Sequence, residues 1–192
     1  VYTDAAAETE RITFVKMSGD DQTVKLDLNG NTVRQIQIMG QGVDQPIDQA
    51  SYHAAADGTV TIDGDVFQSL EAGSYTLYVT YDPMGEDYRE AEGNEAPSVS
   101  RIALTVARAE GTVSGLSDIS KEYDGQPVSA PVSDSLSTGA AAVDYKIFGA
   151  GDETYTAEAP KNAGTYEVRV TVEADGSYSE ASESGTFKIS PR

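Results

Sequence analysis

Carboxylates are the side chains with most chemistry to offer in this sequence: 32 Asp and Glu stand against 13 Lys and Arg, with one histidine and no cysteine. Asp20-Asp21, Asp63 with Asp65, Glu86-Asp87 and Asp152-Glu153 each bring together the two functional groups of a glycosidase acid–base pair. At this density adjacency carries little information, and catalysis also needs a partner that orients the pair. His53 stands alone, so the two halves cannot share a Ser-His-Asp triad and a His-rich metal site is excluded. Without cysteine there is no thiol nucleophile, no Cys-based zinc site and no disulfide. The expectation is a non-enzymatic chain with no catalytic residue.

Calcium is the one cofactor that acidic loops would suit, because it takes hard oxygen donors. Asp82, Glu86 and Asp87, near one end of a strand, are the candidate ligands, with Asp63 and Asp65 as a second set. No Asp-x-Asp-x-Asp-Gly run with a distal Glu occurs, so solvation is the default for these groups. Glycan platforms favour tryptophan, which is absent. Tyr52, Tyr88, Tyr155 and Tyr178 are the tyrosines expected to be exposed, and Tyr88 and Tyr178 hold equivalent repeat positions, which favours a structural role.

The net charge of −19 is shared by both halves, with 7 basic against 18 acidic residues before Ala109 and 6 against 14 from there on. Neither half has a basic face for nucleic acid or an anionic membrane. No apolar run approaches the 18 or so residues of a membrane span. The chain starts on Val1, and its first ten residues are polar and Ala-rich, which suggests a linker after a removed signal or another domain.

The elements that must position these side chains are written twice. Ala72-Gly73-Ser74-Tyr75-Thr76-Leu77-Tyr78-Val79-Thr80-Tyr81, followed by Tyr88 and Glu90-Ala91, returns as Ala163-Gly164-Thr165-Tyr166-Glu167-Val168-Arg169-Val170-Thr171-Val172, followed by Tyr178 and Glu180-Ala181. The offset is 91 residues and then 90, which is the period of whole domains. Period-two alternation at 12–15, 24–28, 33–39, 59–62, 75–81 and 101–106 predicts half-buried strands, separated by turns at 18–21, 29–31, 40–42, 57–58 and 83–85. The pattern restarts at Gly111, with strands predicted at 112–114, 119–123, 127–130, 143–148, 154–157, 166–172 and 186–189. One helical turn is expected at 63–70, capped by Asp63 or Asp65, with Val66, Phe67 and Leu70 inward.

The fold class is therefore all-β: two tandem Ig-like β-sandwiches, residues 11–108 and 109–192, joined by a short linker after a leader at 1–10. A short linker would set the two end to end with limited bending. Tyr75 and Tyr166, each after Ala-Gly-Ser or Ala-Gly-Thr, are placed as structural corner tyrosines whose hydroxyls return to backbone just upstream. Leu77 and Val168 would then face the core.

Residues 109–192 resemble the mostly bacterial Ig-like, or MBG, family. The resemblance rests on Lys121-Glu122-Tyr123-Asp124-Gly125, Ala159-Pro160-Lys161-Asn162-Ala163-Gly164-Thr165-Tyr166, Gly176-Ser177-Tyr178-Ser179 and Thr186-Phe187-Lys188-Ile189. It implies a β-sandwich without catalysis, found in tandem arrays in large secreted or wall-attached bacterial proteins. Residues 11–108 are similar to the Ig-like X-two module of clostridial exoproteins, through Leu28-Asn29-Gly30-Asn31-Thr32-Val33, Tyr52, Thr59-Val60-Thr61-Ile62, Phe67-Gln68-Ser69-Leu70 and Gly73-Ser74-Tyr75. The expected role is a stalk or spacer, adhesive in some contexts, in a secreted or cell-surface protein. Such a chain would be a monomer within a longer multidomain protein, and its expected partner is the cell wall or a host or glycan surface. The alternative is a carbohydrate-binding accessory module of an extracellular glycan-degrading enzyme. Loops at 40–49 and 149–153 are the places a binding module would use.

Overall fold

The computed structural model describes residues 4–82 and 98–192, and the chain divides into two compact units, Val1–Arg108 and Ala109–Arg192. In the first unit the strands are β1 (Ala6–Ala7), β2 (Arg11–Val15), β3 (Gln22–Asp27), β4 (Thr32–Gly40), β5 (Val43–Pro46), β6 (Tyr52–Ala54), β7 (Thr59–Ile62), β8 (Gly73–Asp82) and β9 (Val99–Ala107). They form two sheets, in the orders β1-β3-β7-β6 and β2-β9-β8-β4-β5. This is the strand layout of an Ig-like sandwich, with one edge strand added beside the C-F-G group.

Alternation builds the core. Tyr75, Leu77, Val79 and Tyr81 of β8 point inward with Ile36 and Ile38 of β4 and Ile102, Leu104 and Val106 of β9. Val24, Leu26, Val60 and Ile62 answer from the other sheet. Phe67, on the single helical turn α1 (Asp65–Gln68), closes one end, its ring 5.6 Å from that of Phe14. The N-cap position is Gly64 with no side-chain cap, so neither Asp63 nor Asp65 plays the expected capping role; the Gly64 N–H itself donates to the Asp21 carboxylate at 3.0 Å.

Residues 4–10 do not form the expected leader. Ala5 is buried, Ala6 and Ala7 pair with Asp27 and Leu26, and the Glu8 and Thr9 N–H groups both donate to the Lys25 carbonyl. Small side chains let this segment lie close against the sheet, so an Ala-rich stretch that reads as linker composition is also one that packs closely. Residues 40–49 likewise hold a tight hairpin, in which Gln41 and Gly42 take positive φ and β5 pairs with β4.

In the second unit the strands are β10 (Val113–Ser114), β11 (Lys121–Glu122), β12 (Asp134–Ser135), β13 (Ala141–Ile147), β14 (Gly164–Val172) and β15 (Ala181–Ser190). One sheet runs β11-β15-β14-β13, and β10 pairs with β12 alone. Two predicted strands are absent. Residues 127–130 run irregularly between Pro127 and Pro131, which have no N–H to give a ladder, although Val128 is buried and donates to the Pro160 carbonyl at 3.0 Å. At 154–157 there is a 3-10 turn (Asp152–Thr154) and a single bridge, Thr156 to Tyr145. The core gathers Val128, Tyr145, Val168, Phe187 and Ile189, with Val113, Val170 and Val172 beside it.

Candidate functional site

The repeated phrase makes the same local object in both units. Tyr75 donates its hydroxyl to the Glu71 carbonyl at 2.7 Å, and Tyr166 donates to the Asn162 carbonyl at 2.9 Å. Each bond runs four residues back and ties the entry of β8 or β14 to the turn that precedes it. The ring needs room to fold back. A Cβ on Gly164 would lie 3.3–3.4 Å from the Tyr166 phenol, and a Cβ on Gly40 would press on Tyr75 at 3.1 Å from its Cα. Burial, then the Glu71 carboxylate, push the Tyr75 phenol above its ordinary pKa. Tyr166 is only half-buried and stacks on Phe187 with ring centroids 5.5 Å apart. Leu77 and Val168 both face their cores.

Beside Tyr166 lies a cavity of about 260 Å³ lined by Tyr145, Ile147, Thr154, Thr156, Pro160 and Tyr166. The 149–153 loop borders it through Ala150, and the lining Ile147 is largely exposed. Lys146 and Glu158 complete its lining. Lys146 donates to the Ala150 carbonyl at 2.6 Å and pairs with Glu167 at 2.8 Å and Asp152 at 3.0 Å, and the Glu167 carboxylate, then that of Asp152, hold its pKa up. The Thr154 hydroxyl donates to the Gly151 carbonyl. Arg169 holds Asp144 through two hydrogen bonds and lies 4.0 Å over the Tyr155 ring, and Lys146 lies 5.2 Å from the same ring. Tyr155, expected as an exposed tyrosine, therefore has its face covered by cations. What the cavity presents is apolar surface suited to an apolar or amphipathic group.

Asp82 sits at the end of β8 and pairs with Arg34 at 2.6 Å, while Glu86 and Asp87 lie outside the described residues, as do Tyr88 and the expected turn at 83–85. A register shift between Val33 and Gln35 makes Arg34 the extra residue of a bulge. Among the described residues, no three His, Asp or Glu side chains are grouped to hold a metal ion. His53 is exposed on the edge strand β6, and Tyr52 and Tyr178 are half-buried.

Sequence reasoning missed Asp175. Its carboxylate accepts from the N–H groups of Thr138, Ser177 and Tyr178 at 2.7–2.9 Å, which brings its pKa down to about 2. The signal was the Asp175-Gly176-Ser177 string, an Asx-turn composition. Lys16 was missed too: it is buried and donates to the Leu70 carbonyl at 2.9 Å.

The fold thus defines the class, a tandem Ig-like all-β module. Residues 112–192 match the family model described as MBG domain, which bears out the resemblance drawn for the second half. No curated protein matches the chain. Among solved structures it is similar to the N-terminal four Ig domains of Dscam1 isoform 6.9, at 13% identity and a TM-score of 0.48, covering 100% of this chain and 47% of that one. An I-band fragment of titin is similar at 9% identity and a TM-score of 0.44, with 100% and 67% covered. The titin Z1Z2 domains in complex with telethonin are similar at 15% identity and a TM-score of 0.38, with 100% and 96% covered. The chain spans about half the length of the Dscam1 chain it matches. Among the described residues no helix is long and apolar enough to cross a membrane.

Proposed function

We propose that the chain is a non-catalytic stalk or spacer in a secreted or cell-surface bacterial protein, its two units separating or displaying flanking domains. One observation carries this reading: each unit closes its own core around the same corner, and the polar groups that stand out are spent on neighbours within the unit, as with Tyr75 on Glu71, Tyr166 on Asn162 and Lys146 on Glu167. The MBG match over the second unit agrees with it. The high negative charge keeps copies apart in solution. The test is replacement in the full-length protein by two unrelated Ig-like domains of similar length. Retained display and activity of the flanking parts support a spacer, and loss of function despite normal export overturns it.

A second reading, a carbohydrate-binding accessory module, draws on the cavity between Tyr145 and Tyr166. Co-sedimentation with insoluble polysaccharides decides it. Binding that is lost in an Ile147→Asp variant would move the assignment from spacer to binding module.

A further inference from the structure

In each unit the first and last strands of the larger sheet are neighbours that run in the same direction. β2 pairs with β9 in parallel from Arg11↔Ala103 to Val15↔Ala107, and the ladder is extended by Ala103 N–H to the Glu10 carbonyl at 3.0 Å and Lys16 N–H to the Ala107 carbonyl at 2.8 Å. β11 pairs with β15 in parallel only at Lys121↔Ile189 and Glu122↔Ser190, followed by Tyr123 N–H to the Ser190 carbonyl at 2.9 Å.

Tension on the chain first meets the two-residue β1 pairing in the first unit and the Ala109–Tyr178 bridge and β10 pairing in the second, and then draws β2 and β11 by their N-terminal ends and β9 and β15 by their C-terminal ends. Because the strands are parallel, these pulls slide one along the other, and all the hydrogen bonds between them carry load together. Bonds that must fail together resist more than bonds that open in turn. The two clamps differ in more than length. β2 also anchors through its side chains, since Phe14 is fully buried against Phe67 and the Lys16 ammonium is fixed on the Leu70 carbonyl just beyond. Neither residue of β11 is buried, so water reaches its bonds, and the nearest apolar side chain on its N-terminal side, Ile119, is only partly buried against the core.

We propose that the chain is a graded load-bearing tether, in which the β2–β9 pair is the strong clamp, the β11–β15 pair is the weak one, and the second unit yields first. The biological purpose of this device rests on the spacer reading, but its test does not.

Single-molecule stretching of the whole chain between terminal handles reads it directly. At about 3.4 Å per residue, release of the loop 121–190 lengthens the chain by about 240 Å and release of 11–107 by about 330 Å, so the two events identify themselves. The shorter step is expected at the lower force. The reverse order, or a single merged step, overturns the gradation. The chain has no cysteine, so Glu71→Cys with Arg108→Cys places handles beside the Gly73↔Val106 end of the antiparallel β8–β9 pair, where pulling unzips it. The rupture force of the first unit should fall at least twofold in that geometry, and an equal force overturns the clamp. Lys16→Met should lower the end-to-end force of the first unit and leave that of the second unchanged. If both clamps fail these tests while domain replacement still preserves function, the spacer stands without the force gradation. If replacement abolishes function while the force order holds, the spacer reading fails by itself.

Discussion

The two units share half of a sandwich and differ in the other half. β8–β9 and β14–β15 are equivalent hairpins, each opening on a tyrosine bonded four residues back and each flanked by a parallel terminal strand. Against that common half the first unit sets the four-stranded sheet β1-β3-β7-β6, and the second only the β10–β12 pair, with the irregular 127–130 stretch burying Val128. The repeated phrase encodes the shared hairpin, where one face must be buried and the corner carbonyl must be satisfied. The opposite layer has only to cover that face, and it does so by strands in one unit and largely by irregular chain in the other.

The largest effect should come from the core. Phe187 lies between Tyr166, stacked at 5.5 Å, and Tyr145, edge-on at 6.2 Å, so Phe187→Ala should cost about 3–5 kcal/mol, comparable to much of the stability of a domain this small. Calorimetry should show the second unit melting far lower or already unfolded, with the first unit's transition unmoved. Phe14→Ala should lower the first transition by a similar free energy and leave the second alone. Coupled loss of both transitions would break the comparison.

A smaller effect separates the corners. Tyr75→Phe leaves a carbonyl short of its partner beside a buried ring and should cost about 1 kcal/mol, whereas Tyr166→Phe, at a half-buried site, should cost about 0.5 kcal/mol or less. Urea titration of each variant measures the difference, and equal costs would show that the corners are energetically the same.

Acid should sharpen the contrast further. Asp118, Asp124 and Asp175 of the second unit have pKa values lowered by hydrogen bonds, Asp175 to about 2, whereas among the described residues of the first unit Asp57 alone is lowered. A depressed folded-state pKa contributes stability that is fully present above the unfolded value near 4 and is lost as pH falls towards the folded value. The second unit should therefore lose melting temperature faster than the first between about pH 4 and pH 2. Asp175→Asn should flatten most of that difference. The smallest effect expected is from chelation: with Asp82 paired to Arg34, EDTA should leave both melting transitions where they are, and a downward shift would reopen the calcium assignment.

What was legible follows from where side chains report on burial. β2, β4, β7, β8 and β9 were readable because one face is dry and the other wet, which writes period two into the sequence. β1 was not, because a two-residue pairing of alanines carries no hydrophobic rhythm, and β12 was not, because Asp134 and Ser135 are both polar and exposed. Val128 misled in the opposite direction: it is buried like a strand residue, but the prolines around it leave its N–H bonded to a loop carbonyl. The Arg34 bulge and the Asp175 turn are conformational events, and alternation does not record them. The cavity at Tyr166 depends on residues 145–166 meeting in space, which no local pattern specifies.

The central claim is that the smaller unit closes on its own, and the amide spectrum of residues 109–192 expressed alone tests it most directly. The account predicts a dispersed β-type spectrum that overlays the corresponding peaks of the full chain away from Ala109, with slow exchange along β14. A collapsed, poorly dispersed spectrum for the isolated unit would contradict it.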